Sequence, residues 1–284
     1  MSTSDSSPAA APTPSKSRAG RNLPAAIASA LALGAAILGS LVFWNPLFMV
    51  IVVAAVLVAL WELGQAFATA GIRLVREPLM LGGVVMVGAA YLFGPPAMIT
   101  ATAITILVCM LWRLRGGIDG YVRDVTATAF TAFYVPFLGG FVTLMLAEER
   151  GGSAIATFII VTIASDIGGY AVGVLAGKHP MAPVISPKKS WEGFAGSAVS
   201  CVLAGWLSVT LLLDGPWWVG VALGLVGVVA ATLGDLCESV IKRDLGIKDM
   251  SQIIPGHGGL MDRLDSLLAT AAPTYLILHY LVFV

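Results

Sequence analysis

Acidic and basic residues that could bind a polyphosphate are concentrated near the C-terminus, in residues 235–265. The carboxylates of this segment are Asp235, Glu238, Asp244, Asp249, Asp262 and Asp265. Its basic side chains are Lys242, Arg243, Lys248, His257 and Arg263. Carboxylates hold divalent cations such as Mg²⁺, and basic side chains bind phosphate oxygens. The segment therefore contains both kinds of group that a metal–polyphosphate site requires.

Helical spacing predicts which of these groups lie together. One set recurs at three- and four-residue steps, which places it on one helical face: Asp235, Glu238, Ser239 and Lys242. Asp262 and Asp265 share a face at the start of the next helix, where an electrostatic capping role is the alternative. A carboxylate such as Asp235 at the edge of an apolar helix is costly unless it is paired or metal-bound. We therefore expect the two helix ends to form a magnesium site.

A second polar segment precedes the first, and its candidate binding residues are Ser186, Lys188, Lys189, Ser190 and Glu192. A basic loop of this kind could instead only determine membrane topology. Asp166 lies within an apolar run, where an ionisable group is a functional candidate and a hydrogen bond between helices is the alternative. Gly169, Gly173 and Gly177 repeat at the spacing of closely packed membrane helices. A P-loop ending at Gly177 is excluded, because Val172 occupies its required glycine position.

The composition indicates the elements that position these residues. Hydrophobic residues make up 58% of the chain and charged residues 11%, with a mean hydropathy of +0.91. Soluble domains carry about a quarter charged residues. We therefore predict an all-α, polytopic integral membrane protein. The net charge of zero gives no indication of nucleic-acid binding, and three cysteines without paired spacing argue against disulfides and a thiolate metal site.

Apolar runs predict about nine transmembrane helices, at approximately 24–43, 46–64, 79–93, 96–113, 126–147, 153–177, 193–213, 216–236 and 266–284. Residues 1–22 are polar and predict a disordered cytoplasmic tail. A signal peptide is the competing interpretation, but the run from Leu23 to Trp44 is longer than a typical signal core. Residues 23–284 would form a single transmembrane domain with its catalytic part in 153–284.

The positions of basic residues predict the orientation in the membrane. With a cytoplasmic N-terminus, every lysine and arginine except Arg150 falls on the inner side. This places both polar segments at the cytoplasmic face of a multi-pass protein of the cell (inner) membrane.

The C-terminal segment resembles the signature of the phosphatidate cytidylyltransferase (CDP-diacylglycerol synthase) family. Its residues 239–265 match S-x-x-K-R-x4-K-D-x-S-x2-I-P-x-H-G-G-L-x-D-R-L-D. Residues 186–193 resemble a second family block, SPKKTWEG, with Ser190 in place of the more usual Thr. Gly168 and Gly169 stand where bulkier residues are commoner in the family. The N-terminal half resembles the family only in topology.

The resemblance implies the reaction of CTP with phosphatidate of the inner leaflet to give CDP-diacylglycerol and pyrophosphate, with Mg²⁺ or another divalent cation. It implies catalytic roles for Asp235, Lys242, Asp262 and Asp265. The metal ligands would come from Asp235, Asp262, Asp166 and Glu238. Substrate would contact Ser186, Lys188, Lys189, Ser190, Glu192, Ser239, Arg243, Lys248, His257 and Arg263. Family membership also suggests a homodimer, although no residue pattern here indicates one.

Two other functions fit parts of the pattern. A CTP-dependent kinase of a lipid alcohol, of the polyprenol or phytol type, would transfer the γ-phosphate instead. A secondary transporter would explain an ionisable residue within a span and glycine-interrupted helices. Against a transporter, the chain shows no repeated halves, and its polar residues cluster at one face of the membrane.

Overall fold

The computed structural model describes residues 34–41, 45–254 and 258–284. Residues 34–41 are helical and are named α1. The other α-helices are α2 (Asn45–Thr69), α3 (Arg76–Phe93), α4 (Pro95–Arg113), α5 (Tyr121–Ala132), α6 (Leu138–Leu146), α7 (Gly151–Ala176), α8 (Trp191–Leu212), α9 (Trp217–Asp244) and α10 (Met261–Leu278). A single turn of 3-10 helix, Leu114–Gly116, follows α4. The expected all-α architecture is confirmed.

Eight helical segments of the described chain are long and apolar enough to cross a membrane. Each of the last eight predicted spans corresponds to one of them, and the protein is a multi-pass membrane protein. The first predicted span, 24–43, lies mostly outside the described residues, as does the predicted tail. Several boundaries differ from the prediction, since α2 ends at Thr69 instead of 64 and α5 begins at Tyr121 instead of 126. Near the two polar segments, α9 continues past residue 236 to Asp244 and α10 begins at Met261 instead of 266. Polar residues extend both helices beyond the apolar stretch on which the prediction relied.

The fifth span is not a continuous α-helix. It consists of α5, a π-helical turn at Phe133–Phe137, and α6. Pro136 lies inside the π-turn, where its missing N–H and its ring disfavour regular α-helical hydrogen bonding. A second π-turn, His279–Phe283, ends the last span. Single π-turns are frequent at functional sites, and the first of these holds the buried Tyr134.

A small β-hairpin joins α7 to α8. Strands β1 (Pro180–Ala182) and β2 (Ser186–Ser190) pair antiparallel, an element that the sequence analysis did not predict. Ser190 ends the hairpin and caps α8, since its Oγ accepts a hydrogen bond of 3.1 Å from the backbone N–H of Gly193.

Small residues allow α7, α8 and α9 to approach closely. A Cβ on Gly205 of α8 would lie 2.3 Å from the carbonyl oxygen of Gly220 in α9. A Cβ on Gly169 of α7 would lie 2.5 Å from Ser197 Oγ in α8. The prediction of close packing at the glycine repeat is confirmed at Gly169, whereas a Cβ on Gly173 would meet nothing closer than 3.8 Å.

The alternating direction of the spans separates the charges into two ends. The hairpin and the described residues of the connection, 245–254 and 258–260, lie at one end, together with the polar ends of α9 and α10. At the opposite end, Arg150 pairs with Asp214 at 2.6 Å, and His279 contacts Glu148 at 2.7 Å. The fold therefore brings the two polar segments found in the sequence to the same end of the bundle.

Candidate active site

Three carboxylates from α9 and α10 meet at that end. Asp235, Glu238 and Asp265 each place one oxygen within 4.8 Å of the others. Asp235 and Glu238 share a face of α9, as their spacing predicts. Asp265 reaches them because α10 crosses closely at Gly234, where a Cβ would lie 2.6 Å from the carbonyl oxygen of Asp265. We call these three residues the carboxylate cluster.

Most of the cluster is buried. Glu238 has no solvent exposure and Asp265 has 9%, whereas Asp235 is partly exposed. Glu238 Oε2 lies 2.5 Å from Lys242 Nζ, but its Oε1 is buried and has no hydrogen-bond partner within the part of the chain that the structure describes. Burying a carboxylate oxygen without a partner is costly. A hard divalent cation, which prefers carboxylate oxygens, would satisfy it.

Lys242 connects the cluster to Asp262. Its Nζ lies 2.8 Å from Asp262 Oδ1, so the same ammonium group contacts Glu238 and Asp262. The other oxygen, Asp262 Oδ2, accepts hydrogen bonds of 2.9 Å from the backbone N–H groups of Met250 and Gly259. Asp262 therefore ties the connection before α10 to the start of that helix. The structure groups Asp265 with Asp235 and Glu238, and a role for Asp262 as a direct metal ligand stays a prediction.

Glu62 of α2 is a site residue that the sequence analysis did not identify. It is fully buried, and its carboxylate accepts hydrogen bonds from the backbone N–H of Leu260 at 2.8 Å and of Met261 at 2.6 Å. Ser251 Oγ donates a third, short hydrogen bond to it. Glu62 therefore caps α10 from a distant helix and fixes the connection before it. An ionisable residue within an apolar span was the available signal.

A cavity of about 280 Å³ adjoins the cluster. It lies between α7, α8, α9 and the hairpin, and its polar lining includes Asp166, Ser186, Lys188, Lys189, Ser190 and Asp235. Lys189 Nζ lies 2.7 Å from Asp235 Oδ2, which joins the hairpin to the cluster. Ser266, next to Asp265, also lines the cavity. The two polar segments thus face one common space.

Two of the predicted residues have structural partners near the cavity. Glu192 accepts hydrogen bonds from the backbone N–H groups of Lys178 and His179, at 3.1 and 3.2 Å, and contacts the His179 ring. Ser190 caps α8 as described above. Asp166 lines the cavity, and no hydrogen bond joins its side chain to another described residue. Its predicted role as a metal ligand stays open, because it is not part of the cluster.

The other predicted binding residues lie around this centre. Ser239 Oγ donates a 3.3 Å hydrogen bond to Asp235 Oδ1, and Arg243 Nε donates one of 3.4 Å to the carbonyl oxygen of Ile185. Arg263 is exposed and lies within electrostatic range of Asp166. Lys248 is exposed in the 245–260 connection, and His257 lies outside the described residues.

A model of the cytidylyltransferase family matches residues 24–281. The chain belongs to the cytidylyltransferase family. It is 43% identical over 283 residues to the phosphatidate cytidylyltransferase of Mycobacterium bovis, covering 95% of this chain and 92% of that protein. It is 42% identical to the enzyme of the same name from Mycobacterium leprae, covering 93% and 90%. The similarity to the Helicobacter pylori enzyme is 34% over 194 residues, covering 68% and 69%.

Membership in the cytidylyltransferase family confirms the resemblance found in residues 239–265 and makes the protein a nucleotidyltransferase. It favours transfer of the nucleotidyl group over the γ-phosphoryl transfer of a lipid-alcohol kinase, and an enzyme over a transporter. The match also includes the N-terminal half, where the sequence analysis found only a similar topology. Glu62, which contacts the signature segment, lies in that half.

Proposed function

We propose that this cytidylyltransferase transfers the cytidylyl group of CTP to phosphatidate, producing CDP-diacylglycerol and pyrophosphate for phospholipid biosynthesis. The observation that carries the proposal is the carboxylate cluster at one end of a membrane bundle, whose Asp235 lines a cavity that Lys188 and Lys189 also line. This arrangement fits a metal-bound nucleotide and a lipid phosphate. The names of the relatives from Mycobacterium and Helicobacter support the choice of phosphatidate.

In this reaction a phosphate oxygen of phosphatidate attacks the α-phosphorus of CTP. A new P–O bond forms, and the bond to the pyrophosphate leaving group breaks. Both reactants are anionic, so the protein must bring them together against charge repulsion. Because the nucleophile is already a phosphate anion, no general base is needed. Positioning and charge neutralisation are therefore the main tasks of the protein.

The cluster fits a divalent cation, and we assign Mg²⁺ to Asp235, Glu238 and Asp265. When bound, Mg²⁺ would neutralise phosphate charge and polarise the phosphoryl group. Lys242 contacts both Glu238 of the cluster and Asp262, and so fixes the position of Glu238. The sequence also predicts Asp262 and Asp166 as metal ligands. Asp262 contacts Lys242, and Asp166 lines the cavity.

Phosphate binding falls to the basic side chains around the cavity. Lys188 and Lys189 line it, with Ser186 and Ser190 beside them. Arg243 and Arg263 lie on the adjoining ends of α9 and α10. We assign them, together with Lys248 and His257, to the triphosphate of CTP and the phosphate of the lipid.

We place the active site at the cytoplasmic face of the cell membrane, with the N-terminus in the cytoplasm. The positions of all lysines and arginines except Arg150 support this orientation. Phosphatidate would then enter from the inner leaflet, and CTP from the cytoplasm. The homodimer suggested by the family stays a prediction.

Radiolabelled CTP tests the proposed reaction directly. The purified protein is supplied with phosphatidate, Mg²⁺ and CTP labelled at either the α- or the γ-phosphate. We expect the α label in the lipid and the γ label in released pyrophosphate. Transfer of the γ label to an added lipid alcohol, or no α label in the lipid, would overturn the proposal.

A further inference from the structure

A second cavity, of about 310 Å³, lies between the start of α3 and the end of α4. Glu62, near the end of α2, contacts the start of α10, so the connection from α2 to α3 lies at the active-site end of the bundle. The chain returns to this end when α4 finishes. The charged residues that line the cavity are Arg73, Glu77, Arg113 and Arg115. The described residues that line it all differ from those of the active-site cavity, so the proposed reaction gives it no role.

Arg113 forms a fixed wall of this cavity. Its Nε and Nη2 donate hydrogen bonds of 3.1 and 3.0 Å to Oδ2 of Asp124, which is fully buried. Nη2 also donates a 2.7 Å hydrogen bond to the carbonyl oxygen of Asp119. Arg123 pairs with the other carboxylate oxygen of Asp124 at 3.1 Å. Two arginines therefore share one buried carboxylate, which leaves an excess of positive charge beside the cavity.

The other two arginines of the cavity have side chains available for a ligand. Arg73 is anchored by its backbone N–H, which donates a 3.1 Å hydrogen bond to Asp124 Oδ1, but its guanidinium group forms no hydrogen bond or ion pair with a described residue. The guanidinium group of Arg115 lies 4.0 Å from the centre of the Trp112 ring and has no ion pair within the described chain. Glu77 also lines the cavity, yet no ion pair joins it to the arginines described there.

Basic residues at a membrane boundary often only determine topology. That role requires no fixed position, whereas here Asp124 anchors the backbone of Arg73 and the Trp112 ring holds the Arg115 side chain beside one space. Arginine presents a planar fork of N–H donors that matches the oxygens of a phosphate group. The cavity therefore has the charge and the donors of an anion site.

Exposed apolar residues beside the cavity indicate the source of the anion. Leu114, Ile118 and Val122 lie in or next to the connection from α4 to α5 and are 59%, 96% and 75% exposed. Trp112 is also exposed, and tryptophan is enriched where a membrane meets water. Apolar groups of this kind insert at the boundary between lipid headgroups and acyl chains. The neighbouring arginines then lie at the depth of the lipid phosphates.

We propose that this cavity binds the headgroup phosphate of an anionic phospholipid, with Arg73 and Arg115 as its ligands. Basic pockets between transmembrane helices are suited to anionic lipid headgroups. The volume of the cavity is at the lower end of the range for ligand sites, which suits a headgroup whose acyl chains stay in the bilayer. The site is separate from the carboxylate cluster, and the inference does not depend on the proposed reaction.

The test is the binding of phosphatidylglycerol to the full-length protein in detergent, measured by native mass spectrometry without CTP or a divalent cation. Phosphatidylglycerol is anionic and is not a reactant of the proposed reaction. We expect Arg73→Gln and Arg115→Gln each to raise the Kd about fivefold, and the double variant about 25-fold, because each arginine adds a similar attraction. Arg150→Gln, at the opposite end of the bundle, is the matched control and should keep the wild-type Kd.

Glu77→Gln should lower the Kd for phosphatidylglycerol, because it removes a negative charge from the lining. A variant damaged in its fold would not bind more tightly, so this change separates charge recognition from a loss of structure. Wild-type affinity in the double arginine variant overturns the inference, and so does an equal loss of binding to zwitterionic phosphatidylcholine. Loss of phosphatidylglycerol in Lys189→Gln alone would place the lipid in the active-site cavity instead. Displacement of the lipid by an equal concentration of inorganic phosphate would show a site for free phosphate, which also contradicts the lipid assignment.

Discussion

Glu62 Oε2 accepts a 2.6 Å hydrogen bond from the backbone N–H of Met261. This bond joins α2 to the first residue of α10, across most of the chain. The same carboxylate also binds Leu260 and Ser251. The helix that carries Asp265 is therefore held at its start by a buried charge from the opposite half of the protein. The N-terminal spans contribute to the site through this contact as well as through packing.

We predict that Glu62→Gln lowers both stability and activity. Glutamine replaces one carboxylate oxygen of Glu62 with an NH₂ group, which donates and cannot accept. At least one of the three hydrogen bonds that Glu62 accepts is therefore lost. The expected cost is roughly 1.5–3 kcal/mol, as for hydrogen bonds to a charged acceptor. Thermal unfolding in a defined detergent measures the cost, and hydrogen exchange should show faster opening of residues 250–261.

Glu77→Gln is the control for this change. Glu77 is an exposed glutamate in the first turn of α3 and has no hydrogen bond among the described residues. Its loss should cost only about 0.3–1 kcal/mol, as for an exposed carboxylate at a helix N-terminus, and residues 250–261 should exchange as in the wild type. If Glu62→Gln has the hydrogen-exchange rates and the stability of the wild type, the hydrogen bonds of Glu62 do not hold the connection before α10 in place.

Lys242→Met should be among the most destabilising single substitutions of a charged residue. It leaves Glu238, which is fully buried, and Asp262, which is nearly so, without the ammonium group that contacts both. Removing one partner of a buried ion pair costs about 3–5 kcal/mol. The measurement is the free energy of unfolding, with the exposed Lys248→Met as control. Adding Glu238→Gln to Lys242→Met should recover part of the loss, and a strictly additive double variant would contradict the coupling.

Gly234→Ala should separate α9 from α10 at the carboxylate cluster. The new Cβ would lie 2.6 Å from both Ala269 Cβ and the carbonyl oxygen of Asp265, so α10 must move. Such overpacking costs about 1–3 kcal/mol, and a displaced Asp265 should lower kcat. Gly88→Ala in α3 is the control, because its Cβ meets no atom within 4 Å. Full activity in Gly234→Ala would show that the close crossing is not needed.

The sequence was sufficient for the membrane spans and for the polar segments that meet at one end of the bundle. Each apolar run is much longer than the uncertainty in the residues at which it begins and ends. Eight predicted spans therefore have a counterpart in the described structure. Spacing along one helix placed Asp235, Glu238 and Lys242 together, because their arrangement depends only on helical geometry. The membership of residues 239–265 in a family signature was likewise readable from the residues.

Relationships between helices could not be predicted in the same way. Asp262 and Asp265 are equivalent by spacing, and only the crossing at Gly234 determines that Asp265 joins the cluster. The contacts of Glu62 depend on how α2 packs against α10, which no local pattern encodes. The π-turn at Phe133–Phe137 interrupts a span that is continuous by hydropathy.

The most direct test of the account is the formation of CDP-diacylglycerol from CTP and phosphatidate by Asp265→Asn, compared with the wild type at saturating Mg²⁺. Asp214→Asn serves as the control, because Asp214 pairs with Arg150 at the opposite end of the bundle. We predict that Asp265→Asn folds but loses turnover by about 100-fold or more, whereas Asp214→Asn keeps nearly all of it. Wild-type turnover in folded Asp265→Asn would contradict the assignment of the carboxylate cluster as the catalytic cation site.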